Sequence, residues 1–316
     1  PMGNIEANQQ VETFDPYEFA QPEDVLKKLP NGWVDGDKKL TKWIEKRDHV
    51  RKFTAILEKT PKVIPADFGP VCNNLTRIIK MESNNQVRQE AIKIVGLLSS
   101  SVRKDFEKWA KHLFLELLHM LRTAALLKTT VTTLETLLKF SVGLDTVLDD
   151  IIKSATDKNP QVRMEIISLL TRMASVDHGT DANILKHGNY LKLWLGVGTR
   201  ALELDHDPKV RQHGIELIVL ICKQEGRDSD SCNPIVTQLL NKLPDNKLKL
   251  VDKALGIKTG GSTSGPSRVM RRNNSDIGQE PSAPSRVASR ANSQQRGPPL
   301  APSSTGAAPS KSQASS

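Results

Sequence analysis

The stretch that decides the fold is Asn159–Ala174, which reads NPQVRMEIISLLTRMA. Asn159 has a short polar side chain that suits a helix cap, and Pro160 suits the first helical position. Val162 then begins an apolar stripe at spacings of three and four, as on one face of a helix, while Arg163 is expected to face solvent. The stretch therefore predicts a helix that starts at a defined point and buries one side.

The same opening occurs twice more, as NNQVR at 84–88 and as DPKVR at 207–211. Val87 lies 37 residues after Val50, Val162 lies 75 after Val87, and Val210 lies 48 after Val162. A period near 40 with two helices per unit is typical of HEAT repeats, which stack into a solenoid with one continuous core. About five and a half such units fit. The alternative is a generic helical bundle whose caps resemble one another by chance.

Apolar spacing predicts an all-α chain, since no convincing two-residue alternation is present. The predicted helices lie at about 23–29, 40–59, 66–82, 85–100, 103–121, 124–141, 145–156, 160–175, 182–204, 208–225, 232–243 and 245–255. Trp109 and Trp194 lie on apolar stripes and are predicted in the core, and Trp33 is predicted to close the N-terminal segment onto the stack.

Both ends of the chain differ from this pattern. Residues 1–14 are predicted to be disordered, residues 15–257 to form the helical domain, and residues 258–316 to be a disordered Ser/Pro-rich linker. This linker has eight Lys and Arg residues against two acids, so it carries +6 of the formal net charge of +9. Such a segment has too few large apolar residues to offset the entropy of ordering.

Several functional classes are disfavoured. Cys72, Cys222 and Cys232 are an odd number without metal-ligand spacing, which favours a reducing intracellular compartment. No stretch reaches the roughly 20 apolar residues that a membrane span needs, so we expect a soluble, cytosolic protein. We find no phosphate-binding glycine loop, no HExxH and no nucleophile in a recognisable context. The sequence predicts no enzyme, no metal and no cofactor.

A binding surface is the remaining expectation. The short turns within HEAT repeats line up along one edge, which would place Lys158, Arg163, Lys209 and Arg211 in a row suited to an acidic protein or a nucleic-acid backbone. A single Arg in a first turn is more often an ordinary solvated side chain, but several aligned at repeat spacing favour a binding surface. Trp43, among charged residues at a helix entrance, is either a staple onto a neighbouring helix or an exposed aromatic anchor.

Six segments carry a resemblance to a known family. DPYEFAQPEDVLKKLPNGW at 15–33, followed by KWIEKRDHV at 42–50, resembles the opening of a TOG domain of the ch-TOG and Mini spindles microtubule-polymerase family. Later passages of the same family's TOG domains are resembled, in unbroken order, by four further segments: SSSVRKDFEKWAKHL at 99–113, DKNPQV at 157–162, DPKVR at 207–211 and LPDNKLKLVDKAL at 243–255. Lys46 stands where the family has an arginine, and Asn84-Asn85 where it usually has one asparagine before an apolar residue. Both departures suggest a divergent member.

The resemblance implies a flat, paddle-like solenoid of six HEAT repeats whose intra-repeat turns bind one αβ-tubulin heterodimer. It implies that Trp43 contacts β-tubulin with Lys46 beside it, and that Lys209 and Arg211 reach the α-tubulin side. The turns between them would supply Ser83, Asn84, Asn85, Arg122, Lys158, Asn159 and Arg163. It further implies one module of a larger regulator of microtubule dynamics, in the cytoplasm, at microtubules, spindle pole or centrosome, with other proteins there as further partners.

The linker would then hold the acidic microtubule lattice through weak, salt-sensitive contacts. Ser275, Ser289 and Ser293 each follow an arginine by three positions, which fits a basophilic-kinase pattern. Two alternative functions stay open. One is a HEAT scaffold or transport adaptor for other proteins. The other is weak nucleic-acid backbone binding through the basic linker, which is disfavoured because aromatics for base stacking are absent.

Overall fold

The structure is a computed structural model, and it describes residues 15–33, 42–175, 185, 188–225 and 233–257. Within these ranges the chain is helical, with one isolated β-bridge between Glu23 and Val63. The α-helices are α1 (Pro16–Phe19), α2 (Trp43–Glu58), α3 (Gly69–Met81), α4 (Asn85–Val102), α5 (Glu107–Met120), α6 (Leu127–Phe140), α7 (Leu144–Ser154), α8 (Pro160–Ala174), α9 (Gly188–Leu204), α10 (Pro208–Gln224), α11 (Pro234–Leu240) and α12 (Asp245–Leu255).

The helices form two layers. Helices α2, α4, α6, α8, α10 and α12 pack in succession in the inner layer, while α3 packs on α5, α5 on α7 and α9 on α11 in the outer layer. Each outer helix from α3 to α9 also packs on the inner helix that follows it in sequence. This is the arrangement of a HEAT-repeat α-solenoid, so the predicted fold class is confirmed and the generic bundle is not favoured.

The repeated openings behave largely as predicted. Asn84, Asn159 and Asp207 each accept a hydrogen bond at the side-chain oxygen from a backbone N–H of the helix that follows. The valine three residues after each cap is buried, which begins the apolar stripe of α4, α8 and α10. A short polar cap and a buried valine therefore start three inner-layer helices in the same way.

The arginine of each opening does not face solvent, which corrects the prediction. Arg163 Nη1 donates to the backbone oxygens of Asp157 at 2.7 Å and Lys158 at 3.0 Å. Arg211 Nη1 donates likewise to the oxygens of Asp205 and His206, and Arg88 Nε donates to Ile79 at 2.9 Å. Each guanidinium folds back because the end of the preceding helix leaves carbonyls without helical partners. The arginine thereby closes the turn within its own repeat.

Two predicted helices differ from the observed elements. At 23–29 only the 3-10 turn Leu26–Lys28 forms, since Glu23 bonds in extended form to the connection after α2. The predicted helix at 103–121 is interrupted: Arg103 has φ 58°, and a 3-10 helix over Arg103–Phe106 precedes α5. The helix starts predicted at 40, 182 and 232 lie outside the described residues, as do residues 1–14, Cys232 and the linker from 258 onward.

The tryptophans largely follow the sequence analysis. Trp33 is 1% exposed, stacks on His49 at 5.8 Å between ring centroids, and accepts a hydrogen bond at its backbone oxygen from Asn74. It closes the N-terminal segment onto α2 and α3 as predicted. Trp194 is fully buried, and Trp109 is partly buried against Phe68.

Candidate protein-binding edge

The short connections within repeats lie on one side of the solenoid, which we call the turn edge. It consists of the start of α2 and of residues 82–84, 121–126, 155–159 and 205–207. The connections between repeats, including 59–68, 103–106 and 141–143, lie on the opposite edge. All the sequence-predicted site residues from Trp43 to Arg211 fall on the turn edge or in the first helical turn that leaves it.

Trp43 is the first residue of α2, and its side chain is 39% exposed. The guanidinium carbon of Arg47 lies 5.4 Å from its ring centroid, and Arg47 also donates to Gln86 at the start of α4 at 3.3 Å. Ile44 beside it is 48% exposed. A cation therefore lies over one face of the indole, and more than a third of the residue stays exposed, which favours the exposed anchor over the staple.

Neighbouring turns are joined by ion pairs that cross from one repeat to the next. Lys46 Nζ lies 3.0 Å from Glu82 Oε2, and Arg122 Nη2 lies 2.6 Å from Asp157 Oδ2. Arg163 reaches the following turn with Nε 2.6 Å from Asp205 Oδ2 and Nη2 2.8 Å from Oδ1. Three cations among the predicted site residues thus carry a carboxylate partner, and they hold the turns in line.

The acids of these pairs share one position, two residues before a helix cap. Glu82, Asp157 and Asp205 each also accept a hydrogen bond from the backbone N–H of the cap residue, at 3.2, 2.8 and 2.9 Å. One carboxylate therefore shapes its own turn and receives the cation of the preceding repeat. Sequence analysis missed these acids, although aligning the three openings places an acid two residues before each cap.

The hydrogen bond from the cap residue and the bond from the cation of the preceding repeat both lower the pKa values of these carboxyl groups. Burial alone would raise the pKa of Asp205, but the hydrogen bonds from Arg163 and from the backbone of Asp207 outweigh it and lower the pKa. The pKa of Asp157 is likewise lowered against burial by bonds from Asn159 and Arg122, and that of Glu82 by Lys46 and Asn84. All three groups are therefore held as carboxylates at neutral pH.

The second and third turns are joined without a carboxylate at the turn itself. Arg88 Nη2 donates to Met120 Sδ at 2.7 Å, and Arg88 Nη1 donates to Asn85 Oδ1 at 3.3 Å. Below them Lys80 pairs with the buried Glu116 at 2.8 Å. Ser83 is exposed, and its backbone N–H donates a hydrogen bond to the Glu82 carboxylate. The side-chain oxygen of Asn84 already accepts a hydrogen bond from the backbone N–H of Gln86, which caps α4.

The remaining cations of the turn edge differ in their exposure and in their partners. Lys158 and Lys209 are exposed and form no ion pair with the described residues. Arg211 is half-buried because Nη1 bonds two backbone oxygens of its own turn. The turn edge therefore presents an indole at one end and exposed ammonium groups at the fourth and fifth turns, with internally paired charges between them.

Three further properties of the described residues concern metal binding, thiol reactivity and membrane spans. They contain no group of three or more His, Cys, Asp or Glu side chains able to hold a metal ion. Burial raises the pKa of the Cys72 thiol to about 12, which disfavours the thiolate that a nucleophile requires. No helix in the described part of the chain is long and apolar enough to cross a membrane.

Comparison with known proteins adds curated relatives. The chain is 30% identical to MOR1 of Arabidopsis thaliana over 264 residues and 24% identical to mini spindles of Drosophila melanogaster, also over 264 residues. These matches cover 81% and 83% of this chain but 12% of each relative. Centrosomal protein 224 of Dictyostelium discoideum is 29% identical over half of this chain and 8% of its own length. No family model matches the sequence.

Solved structures share the fold. One, from work on tubulin recruitment and assembly by microtubule polymerases with TOG domain arrays, has a TM-score of 0.62 at 21% identity and covers 77% of this chain and 49% of its own. Another, from work on microtubule plus-end tracking by XMAP215, CLIP-170 and EB1, has a TM-score of 0.61 at 21% identity. It covers 79% of this chain and all of its own.

Proposed function

Because this chain is a TOG domain of the family that includes MOR1 and Mini spindles, we propose that it binds αβ-tubulin through the turn edge. The observation that carries the proposal is the exposed indole of Trp43 at one end of a row of aligned turns. An exposed aromatic beside a cation is the kind of residue that supplies much of the energy of a protein interface. The role is one of binding, with no catalytic step.

The site residues divide into three groups by their contacts. Trp43, Ser83, Lys158 and Lys209 are exposed and contact tubulin directly. Lys46, Arg122 and Arg163 act mainly by position, since each is paired to an acid of the next turn. Asn84, Asn159 and Arg211 shape the turns, and Asn85 receives the Arg88 guanidinium. The turn edge thus presents a few exposed side chains at fixed spacings along aligned turns.

Charge complementarity supports an acidic partner. The free ammonium groups of Lys158 and Lys209 have no internal carboxylate to compensate them within the described chain, so they attract a negatively charged surface. Such charges at the rim of an interface speed encounter more than they deepen affinity. Tubulin binding at this edge should therefore weaken as salt concentration rises.

In the whole protein we propose one module of a larger regulator of microtubule dynamics. This chain spans about an eighth of the length of MOR1 and mini spindles, so polymerase activity would need further modules. The basic linker adds contacts with the microtubule lattice, and phosphorylation at Ser275, Ser289 and Ser293 weakens them. The name of Centrosomal protein 224 supports a location at the cytoskeleton, including spindle pole and centrosome.

Size-exclusion chromatography of the full chain with αβ-tubulin tests the site. The double variant Lys158→Glu/Lys209→Glu should weaken the complex by about tenfold or more, because it turns two attractive charges into repulsive ones. The matched control is Lys104→Glu/Lys223→Glu, which makes the same charge change at exposed positions away from the turn edge. Equal weakening by both doubles would mean that only net charge matters, and the turn edge would lose its assignment.

A further inference from the structure

A groove separates α7 from α9 in the outer layer. Its volume is about 1140 Å³, and it is lined along its length by both helices. In the same layer α3 packs on α5, α5 on α7 and α9 on α11. Within the described residues, α7 and α9 are joined by the hydrogen bond from Tyr190 to Asp145, and the groove lies between them further along. An apolar strip that the neighbouring pairs would cover is left accessible there.

The floor of the groove is apolar. Leu148 and Ile152 line it from α7, and Leu193 and Val197 line it from α9. Leu204 stands at the end of the groove beside the turn edge and is 60% exposed. Residues 193, 197 and 204 share one face of α9 because their spacings are near multiples of a helical turn. A contiguous apolar strip of this kind marks an interaction site more often than an isolated leucine does.

The rim of the groove is positively charged once internal pairs are accounted for. Of its three acids, Asp157 and Asp205 pair with arginines as described above. Asp145 accepts a hydrogen bond from the neutral Tyr190 hydroxyl and keeps its negative charge, so the two cations Lys192 and Arg200 outnumber this one remaining carboxylate. Lys192 and Arg200 line the groove, are exposed, and form no ion pair in the portion of the chain that the structure describes. They lie eight residues apart on α9, which is about 12 Å along the helix axis.

We propose that this groove binds an acidic amphipathic helix of a protein partner. The apolar face of that helix lies on the floor, and two carboxylates spaced seven or eight residues apart meet Lys192 and Arg200. The lining runs from Asn189 to Leu204, which at about 1.5 Å per residue accommodates roughly four helical turns. A nucleic acid fits poorly because the floor is apolar.

Fluorescence polarisation with two synthetic peptides tests the groove. Both are helical, about 18 residues long, which covers the four-turn length, and carry leucines at spacings of three and four. One has two glutamates eight residues apart beside the apolar stripe, and the other has lysines at those two positions. The full chain should bind the glutamate peptide at least about tenfold more tightly than the lysine peptide.

The decisive variant is Lys192→Glu/Arg200→Glu, which should reverse this preference in favour of the lysine peptide. Leu204→Glu should weaken both peptides because it puts a charge on the apolar strip. These three side chains are exposed, so an unchanged thermal melting curve confirms that each variant is folded. The proposal is overturned if neither peptide binds, if both bind equally, or if the double reversal leaves the preference unchanged.

Two further measurements distinguish a partner helix from a second copy of the chain and from tubulin as the occupant of the groove. Analytical ultracentrifugation tests for a dimer of the chain. If a dimer forms and Leu204→Glu dissociates it, the occupant of the groove is a second copy, and the proposal is overturned. Tubulin binding should be the same for wild type and Lys192→Glu/Arg200→Glu, since neither residue belongs to the proposed tubulin site. Loss of tubulin binding in that variant would make the groove part of the tubulin interface instead.

Discussion

Arg163 and Asp205 are joined by two hydrogen bonds across neighbouring repeats, from Nε to Oδ2 at 2.6 Å and from Nη2 to Oδ1 at 2.8 Å. The same arginine also holds two backbone oxygens of its own turn. The pair therefore fixes the fourth turn to the fifth. An edge that binds a partner at several turns requires such fixed spacing, because each misplaced contact reduces the affinity.

Removing the Asp205 carboxylate should destabilise the domain. Asp205→Asn keeps the size of the side chain but leaves Arg163 without its charged partner, at a cost of about 1–3 kcal/mol in the free energy of unfolding. Urea denaturation followed by circular dichroism measures this cost. Asp149→Asn is the control, since Asp149 is exposed and lacks an ion pair among the described residues. Equal stability of the two variants would show that the Arg163 pair contributes nothing.

Acid should remove the stabilisation that the turn carboxylates provide. The pKa values of Glu82, Asp157 and Asp205 are lowered in the folded state, so these groups favour folding at pH above their unfolded pKa of about 4. This stabilisation is lost as pH falls below about 4 and then through the lower pKa values that the three carboxyl groups have in the folded state. The stability difference between wild type and Asp205→Asn should be constant from pH 7 to 5 and shrink toward pH 3. A difference that grows on acidification would contradict the assigned direction.

Arg103 offers a test of backbone strain. Its φ of 58° is unfavourable for a residue with a Cβ, while its guanidinium bonds Asp15 and Glu18 and lies 3.8 Å from the Tyr17 ring centroid. Arg103→Ala and Arg103→Gly both lose these contacts, but only glycine adopts the backbone freely. Arg103→Gly should therefore be more stable than Arg103→Ala by about 0.5–1 kcal/mol in thermal or urea unfolding. The reverse order would mean that the backbone is unstrained.

Negative charge added to the basic linker should weaken its contacts with microtubules. Changing Ser275, Ser289 and Ser293 to glutamate should reduce co-sedimentation with microtubules, most clearly at low salt where charge attraction is least screened. The corresponding alanine variant should behave as wild type. If the glutamate and alanine variants co-sediment equally at every salt concentration, phosphorylation at these sites does not control the lattice contact.

Sequence patterns predicted the helices well where local chemistry determines them. The caps at Asn84, Asn159 and Asp207 were identified because a short polar residue before an apolar stripe has a local physical role. The extent of α4, α8, α10 and α12 was also predicted within about two residues, which is the usual uncertainty at helix ends. The HEAT stack followed from the spacing of these openings.

Pairings between repeats could not be predicted in the same way. Arg122 and Asp157 are 35 residues apart, and Arg163 and Asp205 are 42 apart, so their contact depends on how helices stack. The row of cations was predicted without these partners, and the free charge of the edge was therefore overestimated. The break at Arg103 was missed for a related reason, since its unusual φ accompanies contacts with the distant N-terminal segment.

Binding of αβ-tubulin by Trp43→Ala, compared with wild type and with Phe19→Ala, tests the central claim most directly. Phe19 is an exposed aromatic at the end of α1, whose residues Tyr17 and Glu18 contact Arg103 on the opposite edge, so its removal controls for loss of apolar surface in general. Loss of an aromatic anchor should weaken tubulin binding by about 2 kcal/mol or more, which is roughly thirtyfold, while Phe19→Ala should bind as wild type. Wild-type affinity in folded Trp43→Ala protein would contradict the account.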